Sequence, residues 1–138
     1  MVHVKAAGGK AGPGRGISVS KYEVVTAQAL KNLKFLDWRK MCQGLEYQPD
    51  KESIQRFWCE QKPAGKPELI SNLKSLGTNY VRRVVIVQPH LRKVKHDEVR
   101  GKTDGIDLYR LRQLDTLLLS AEEKCRNFGA EFSVICSI

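Results

Sequence analysis

Three groups of residues in this chain have types that can do chemistry. Pro49-Asp50 followed by Glu60-Gln61-Lys62 has the order of residues in which two acids bind a divalent metal and a lysine assists phosphodiester hydrolysis. That chemistry needs the groups side by side on a strand. Here the second half falls in a helical pattern through Ile54, Phe57 and Trp58 that stops before Pro63, so we expect no nuclease. His90, His96, Asp97 and Glu98 have donor atoms for a metal or for proton transfer, but their spacing fits no ligand pattern. The serines lack a Gly-x-Ser-x-Gly setting and no glycine-rich loop carries a phosphate-binding lysine. The expectation is a protein without catalytic residues, metal or cofactor.

The third group is cationic. The segment His90 to Lys102 holds Arg92, Lys93, Lys95, Arg100 and Lys102, and Arg82 lies just upstream. A second run, Lys31, Lys34, Arg39 and Lys40, interleaves with Phe35 and Trp38, a combination that can hold phosphates while a ring stacks on a base. The same aromatics also suit a core stripe, with the lysines extending past them to water. A third set, Lys5, Lys10 and Arg15, sits in a stretch from Met1 to Gly16 that contains five of the eleven glycines and no acid. Such a stretch buries too little apolar surface to offset its ordering entropy, so residues 1–16 read as a basic flexible arm.

Composition agrees with that chemistry. The chain of 138 residues carries a formal net charge of +9, with the excess in residues 1–40 and 80–102 and a balanced or acidic remainder. This points to a polyanionic partner. With 41% hydrophobic residues, residues 17–138 can form one globular α/β domain with its own core. Cys42, Cys59, Cys125 and Cys136 form no C-x-x-C pair and each lies in an apolar stretch, as reduced buried thiols do. No apolar run is long enough to span a bilayer. The expected setting is intracellular, cytoplasmic or nuclear, or the interior of a virion.

The elements that must position these charges follow from pattern. Ser20 and Glu23 have capping-box spacing ahead of Val25, Ala29, Leu33, Leu36 and Met41, which predicts a long helix over 20–43. Asp50 can cap a second helix, and Pro67 and Gly77 bracket a third with Leu69, Ile70, Leu73 and Leu76 on one face. Val84 to Val87 are consecutive and β-branched, which predicts a strand buried on both faces. Asp104 or Asp107 then caps a helix with the stripe Leu111, Leu114, Leu118, Ala121, Cys125 and Phe128, ending at Gly129, and Phe132 to Ile138 reads as a last strand.

The fold class is therefore α/β: a mostly helical N-terminal half followed by a βαβ unit with a small parallel sheet. The basic segment 90–102 then falls at the carboxyl end of a parallel strand, where open α/β sheets meet ligands. Two strands are too few for a sheet. Either Gly16 to Ser20 completes it or the last strand pairs with another molecule, making a homo-oligomer.

The function expected from these residues is non-enzymatic nucleic-acid binding, with RNA favoured over DNA because no helix carries a recognisable major-groove docking motif. A nucleoprotein, a coat-like subunit of a virus or a ribonucleoprotein component would all fit. The alternatives are a small α/β enzyme acting on a phosphorylated or anionic substrate, and a basic protein-interaction module.

Overall fold

The computed structural model describes residues 1–4, 17–47, 57–59 and 61–137, without the side chains of 59, 89–92 and 137. These residues form a mixed α/β structure in two compact units, one of residues 1–33 and 82–138 and the other of residues 34–81. Lys5, Lys10 and Arg15, and Asp50 and Glu60 of the would-be metal site, lie outside the described residues.

The first unit is built on a three-stranded parallel sheet of β1 (Val2–Val4), β4 (Arg83–Arg92) and β5 (Glu131–Ser137), in the order β1-β4-β5. Ile86 is the hinge of the register, facing His3 on one side and Val134 on the other. The parallel pairing of β4 with β5 is the one the βαβ pattern predicts. Between Val87 and Arg92 the ladder with β5 becomes irregular, and Pro89, which has no amide hydrogen to donate, sits inside that stretch.

The third strand is not where the sequence places it. Ile17 is buried, Ser18 is the extended N-cap residue of α1 (Val19–Lys31), and neither belongs to a strand. Val2–Val4 fills that role, and the Val85 N–H donates to the Met1 carbonyl at 2.8 Å. The expectation of a flexible arm thus fails at its first residues. Three residues with two valines hold a strand geometry only against a partner, which no local pattern reveals.

Helices α1, α4 (Lys93–Arg100) and α5 (Ile106–Asn127) meet in one apolar cluster: Ile17 and Tyr22, Val99, and Leu108, Leu111 and Leu114, with Val134 of β5 packed against it. Val84, Ile86 and Gln88 of β4 are buried, in register with that face. Val85 and Val87 on the other face are half-buried, and beside them Val2, Val4 and Ile135 are 61%, 62% and 54% exposed. The strand is therefore buried on one face rather than two. A run of β-branched residues reports strand preference, while coverage of the second face depends on elements elsewhere in the chain.

Helix α5 ends in a Schellman turn. The Gly129 N–H donates to the Arg126 carbonyl at 2.8 Å and the Ala130 N–H to the Cys125 carbonyl at 3.0 Å, with Gly129 at φ 66°, a conformation that glycine adopts without a Cβ penalty. The predicted stripe of this helix is inside at Leu111, Leu114, Ala121 and Cys125, while Leu118 is half-buried and Phe128, at the C-cap, is half-exposed.

Three buried side chains of this unit, Tyr22, Thr26 and Gln88, have polar atoms without a hydrogen-bond partner among the described residues. Burial pushes the Tyr22 phenol above its ordinary pKa, and Cys136 adds to the shift. An unpaired buried hydroxyl costs about 1–3 kcal/mol, so Tyr22→Phe is expected to leave the urea midpoint unchanged or raise it. A loss of more than about 1 kcal/mol would mean that the hydroxyl has a partner such as a buried water.

The second unit contains α2 (Trp38–Glu46), a hairpin of β2 (Phe57–Cys59) and β3 (Lys62–Ala64), and α3 (Lys66–Ser75). Two corrections fall here. The helix predicted over 20–43 is two helices separated by a 3₁₀ turn at Leu33–Leu36, because Asp37 accepts the Arg39 N–H at 2.9 Å and caps a new start. The helix predicted through Phe57 and Trp58 is an antiparallel strand pair whose turn holds Gln61 in the left-handed region at φ 67°. Alternation over three residues is too short to outweigh a helical reading, and the pairing partner decides the outcome. Helix α3, with Pro67 in its first turn and Gly77 at φ 61° beyond its end, lies where the sequence puts it.

Candidate nucleic-acid interface

In the second unit the cations cluster around the start of α2. Asp37 ends the 3₁₀ turn and starts the helix, so Lys34 and Phe35 precede the cap while Trp38, Arg39 and Lys40 form the first turn. Trp38 is half-buried and its indole N–H donates to the Gly77 carbonyl at 2.9 Å. Phe35 is half-buried against Gly44, where a Cβ would come within 3.1 Å of the ring. Both rings are held in place. The Tyr80 hydroxyl, donating to the Leu36 carbonyl at 2.9 Å, secures the same turn.

These fixed rings carry the cations on their faces. The Lys34 ammonium is 4.9 Å from the Phe35 centroid and the Arg39 guanidinium 5.0 Å from that of Trp38. Lys34, Arg39 and Lys40 are exposed and none meets an acid among the described residues. The Asp37 carboxylate, between Lys34 and Arg39 in the chain, accepts the Arg39 N–H as the helix cap. The result is a positive surface on which Lys34 and Arg39 are oriented by ring contacts and all three cations lack anionic partners among the described residues.

In the first unit the segment predicted as a ligand-facing loop is helix α4, which starts directly at the end of β4. Its first turn contains no acid, so Lys93 and Lys95 stand at the positive end of the helix dipole. Further on the charges cancel. Lys95 and Lys102 share Glu98 at 3.2 and 3.6 Å, and hydrogen bonding to Lys95 holds the Glu98 carboxyl below its ordinary pKa. Arg100 reaches Asp115 of α5 at 3.6 Å, and His96 lies between Asp97 and Asp115. Of this group, Lys93 alone is exposed without an acid among the described residues.

The remaining predicted contacts are scattered. Lys31 is exposed in the last turn of α1. Arg82 is half-buried and donates to the Phe128 carbonyl at 3.5 Å, next to Gly129, which commits it to the C-terminal end of α5. Arg92 ends β4 opposite Ser137. Of the histidines and acids weighed as metal ligands, His96 and Asp97 are in contact, and among the described residues no group of three His, Cys, Asp or Glu side chains is placed to hold a metal ion. No described helix is long and apolar enough to cross a membrane.

The sequence pattern favours the segment 90–102, at the carboxyl end of its strand, and does not separate the cations within that segment. The signal that separates them is the acid three or four residues away on the same helix, as with Lys95 and Lys102 around Glu98, and it can be read from spacing alone. The Arg100–Asp115 pair, between two helices, cannot. Comparison with known protein families, with characterised proteins and with solved structures finds no match for this chain.

Proposed function

We propose that this protein binds nucleic acid without catalysing a reaction on it, RNA in preference to DNA, and assembles as a homo-oligomer inside a cell or a virion, in the manner of a nucleoprotein, coat-like or ribonucleoprotein subunit. The observation that carries the reading is the cluster Lys34, Arg39 and Lys40: exposed and free of acidic partners among the described residues, with Lys34 and Arg39 oriented by Phe35 and Trp38. Phosphate groups are the natural counterions of such a surface, and the net charge of +9 favours a polyanion over a single small anion. Arg39 stacked on Trp38 keeps guanidinium N–H groups available for phosphate while its other face is satisfied by the ring.

The test is a fluorescence-anisotropy titration of the full chain with labelled single-stranded RNA across a salt series. Three phosphate contacts release condensed counterions, so log K is expected to fall with log salt with a slope of about −2 or steeper. Affinity that stays constant between about 50 and 200 mM salt would overturn the proposal. Duplex DNA in the same series reads the preference for RNA.

A further inference from the structure

Strand β5 has one open edge whose chemistry can be specified. The Glu131 N–H donates to the Arg82 carbonyl at 2.9 Å, so Glu131 points its peptide groups toward β4. Successive residues of a strand alternate in this respect, which turns the N–H and C=O groups of Phe132, Val134 and Cys136 outward. Among the described residues nothing pairs with that row, since β4 is the only neighbour of β5 in the sheet. Soluble proteins usually blunt such an edge with lysine or proline. The strand Glu-Phe-Ser-Val-Ile-Cys-Ser has neither, and its single charge, Glu131, is paired with Arg83 at 2.6 Å.

Alongside the open edge runs a groove of about 300 Å³ between β5 and α5, floored by Leu118, Leu119, Phe132 and Val134. Leu119 is 65% exposed there. Charges mark its two ends. Arg100, 3.6 Å from Asp115, stands at one, and Glu122, which accepts from Arg126 at 2.8 Å, stands at the other, two turns or about 10 Å farther along α5.

We propose that this edge and groove form a two-fold interface with a second copy of the chain, in which the two β5 strands pair antiparallel and the two α5 helices lie side by side across the axis. This rests on the assembly part of the reading above and assigns its surface. The occupant follows from symmetry. A two-fold axis near Leu118 and Leu119 turns the groove end for end, so Arg100 of each copy meets Glu122 of the other while each Leu119 covers its counterpart. Any extended peptide can satisfy the outward backbone groups, but a second copy also brings an acid to each Arg100 and a base to each Glu122, in exchange for the exposed pairs these make with Asp115 and Arg126 within one chain. The three-stranded sheet becomes six-stranded, with two of its exposed edges removed.

Sedimentation equilibrium of the full chain, with and without RNA, tests this. The unmodified protein is expected at twice its 15.6 kDa mass. Leu119→Glu is expected to sediment as a monomer that keeps the far-UV circular dichroism of the folded chain, because the side chain is not part of the core. Arg100→Glu and Glu122→Arg are each expected to weaken dimerisation about tenfold or more, and the double variant to recover most of the loss, since like charges meet across the axis in the singles and opposite charges in the double. A strictly monomeric unmodified protein would overturn both the assembly reading and this interface. A dimer that survives Leu119→Glu and shows no recovery in the double variant would overturn the interface alone.

Discussion

Replacing Lys34, Arg39 and Lys40 together by glutamine is expected to lower affinity for single-stranded RNA by about a hundredfold at 0.1 M salt. Each phosphate contact on a single strand contributes about 0.7 to the salt slope, so three contacts carry about two decades of affinity under those conditions and the slope falls by about two. The control is the triple replacement of Lys95, Arg100 and Lys102, which removes the same formal charge. These three already face Glu98 and Asp115 at 3.2–3.6 Å, so a phosphate would have to displace a carboxylate to reach them. Their loss is expected to cost at most about a fifth as many fold. Equal losses in the two variants would show that net charge alone drives binding and that the α2 cluster has no special part.

Leu114→Ala is expected to destabilise the chain by about 3 kcal/mol, read as a shift of the urea midpoint without a change in slope. Leu114 has no exposed surface and sits among Leu108, Leu111 and Tyr22, where α1 and α5 meet over the sheet. Truncation leaves a cavity bounded by parts of three elements, which cannot all close in. Leu119→Ala, five residues along the same helix, removes the same atoms from a position exposed in the single chain and, measured at concentrations where the chain is monomeric, is expected to change stability by less than about 0.5 kcal/mol. If both leucines cost several kcal/mol in the monomer, the helix is buried on both flanks and the open groove beside β5 does not exist in solution.

Much of the first unit is legible in the amino acids themselves. The stripe of α5, the glycine at its end, the β-branched run of β4 and the last strand are local signals: each depends on residues within one or two turns of one another, and each element lies within a few residues of its predicted position. Parallel pairing of β4 with β5 follows as well, because a helix-length connection leaves little alternative. Asp37 is a local signal too, an N-cap inside an apparently continuous stripe, and its carboxylate prevails over the periodicity around it.

Partners distant in the chain decided the rest. Val2–Val4 and the strands flanking Gln61 are three residues each, too short for their pattern to mean anything until a neighbour supplies hydrogen bonds. The same holds for charge. The sequence determined that this protein is basic, that its cations come in runs, and that one run is interleaved with Phe35 and Trp38. Only the tertiary structure decided which of those cations are free. It placed Asp115 of α5 beside Arg100 of α4 while leaving Lys34, Arg39 and Lys40 without acids among the described residues, because an ion pair depends on the distance between side chains and the order of residues along a chain does not set that distance.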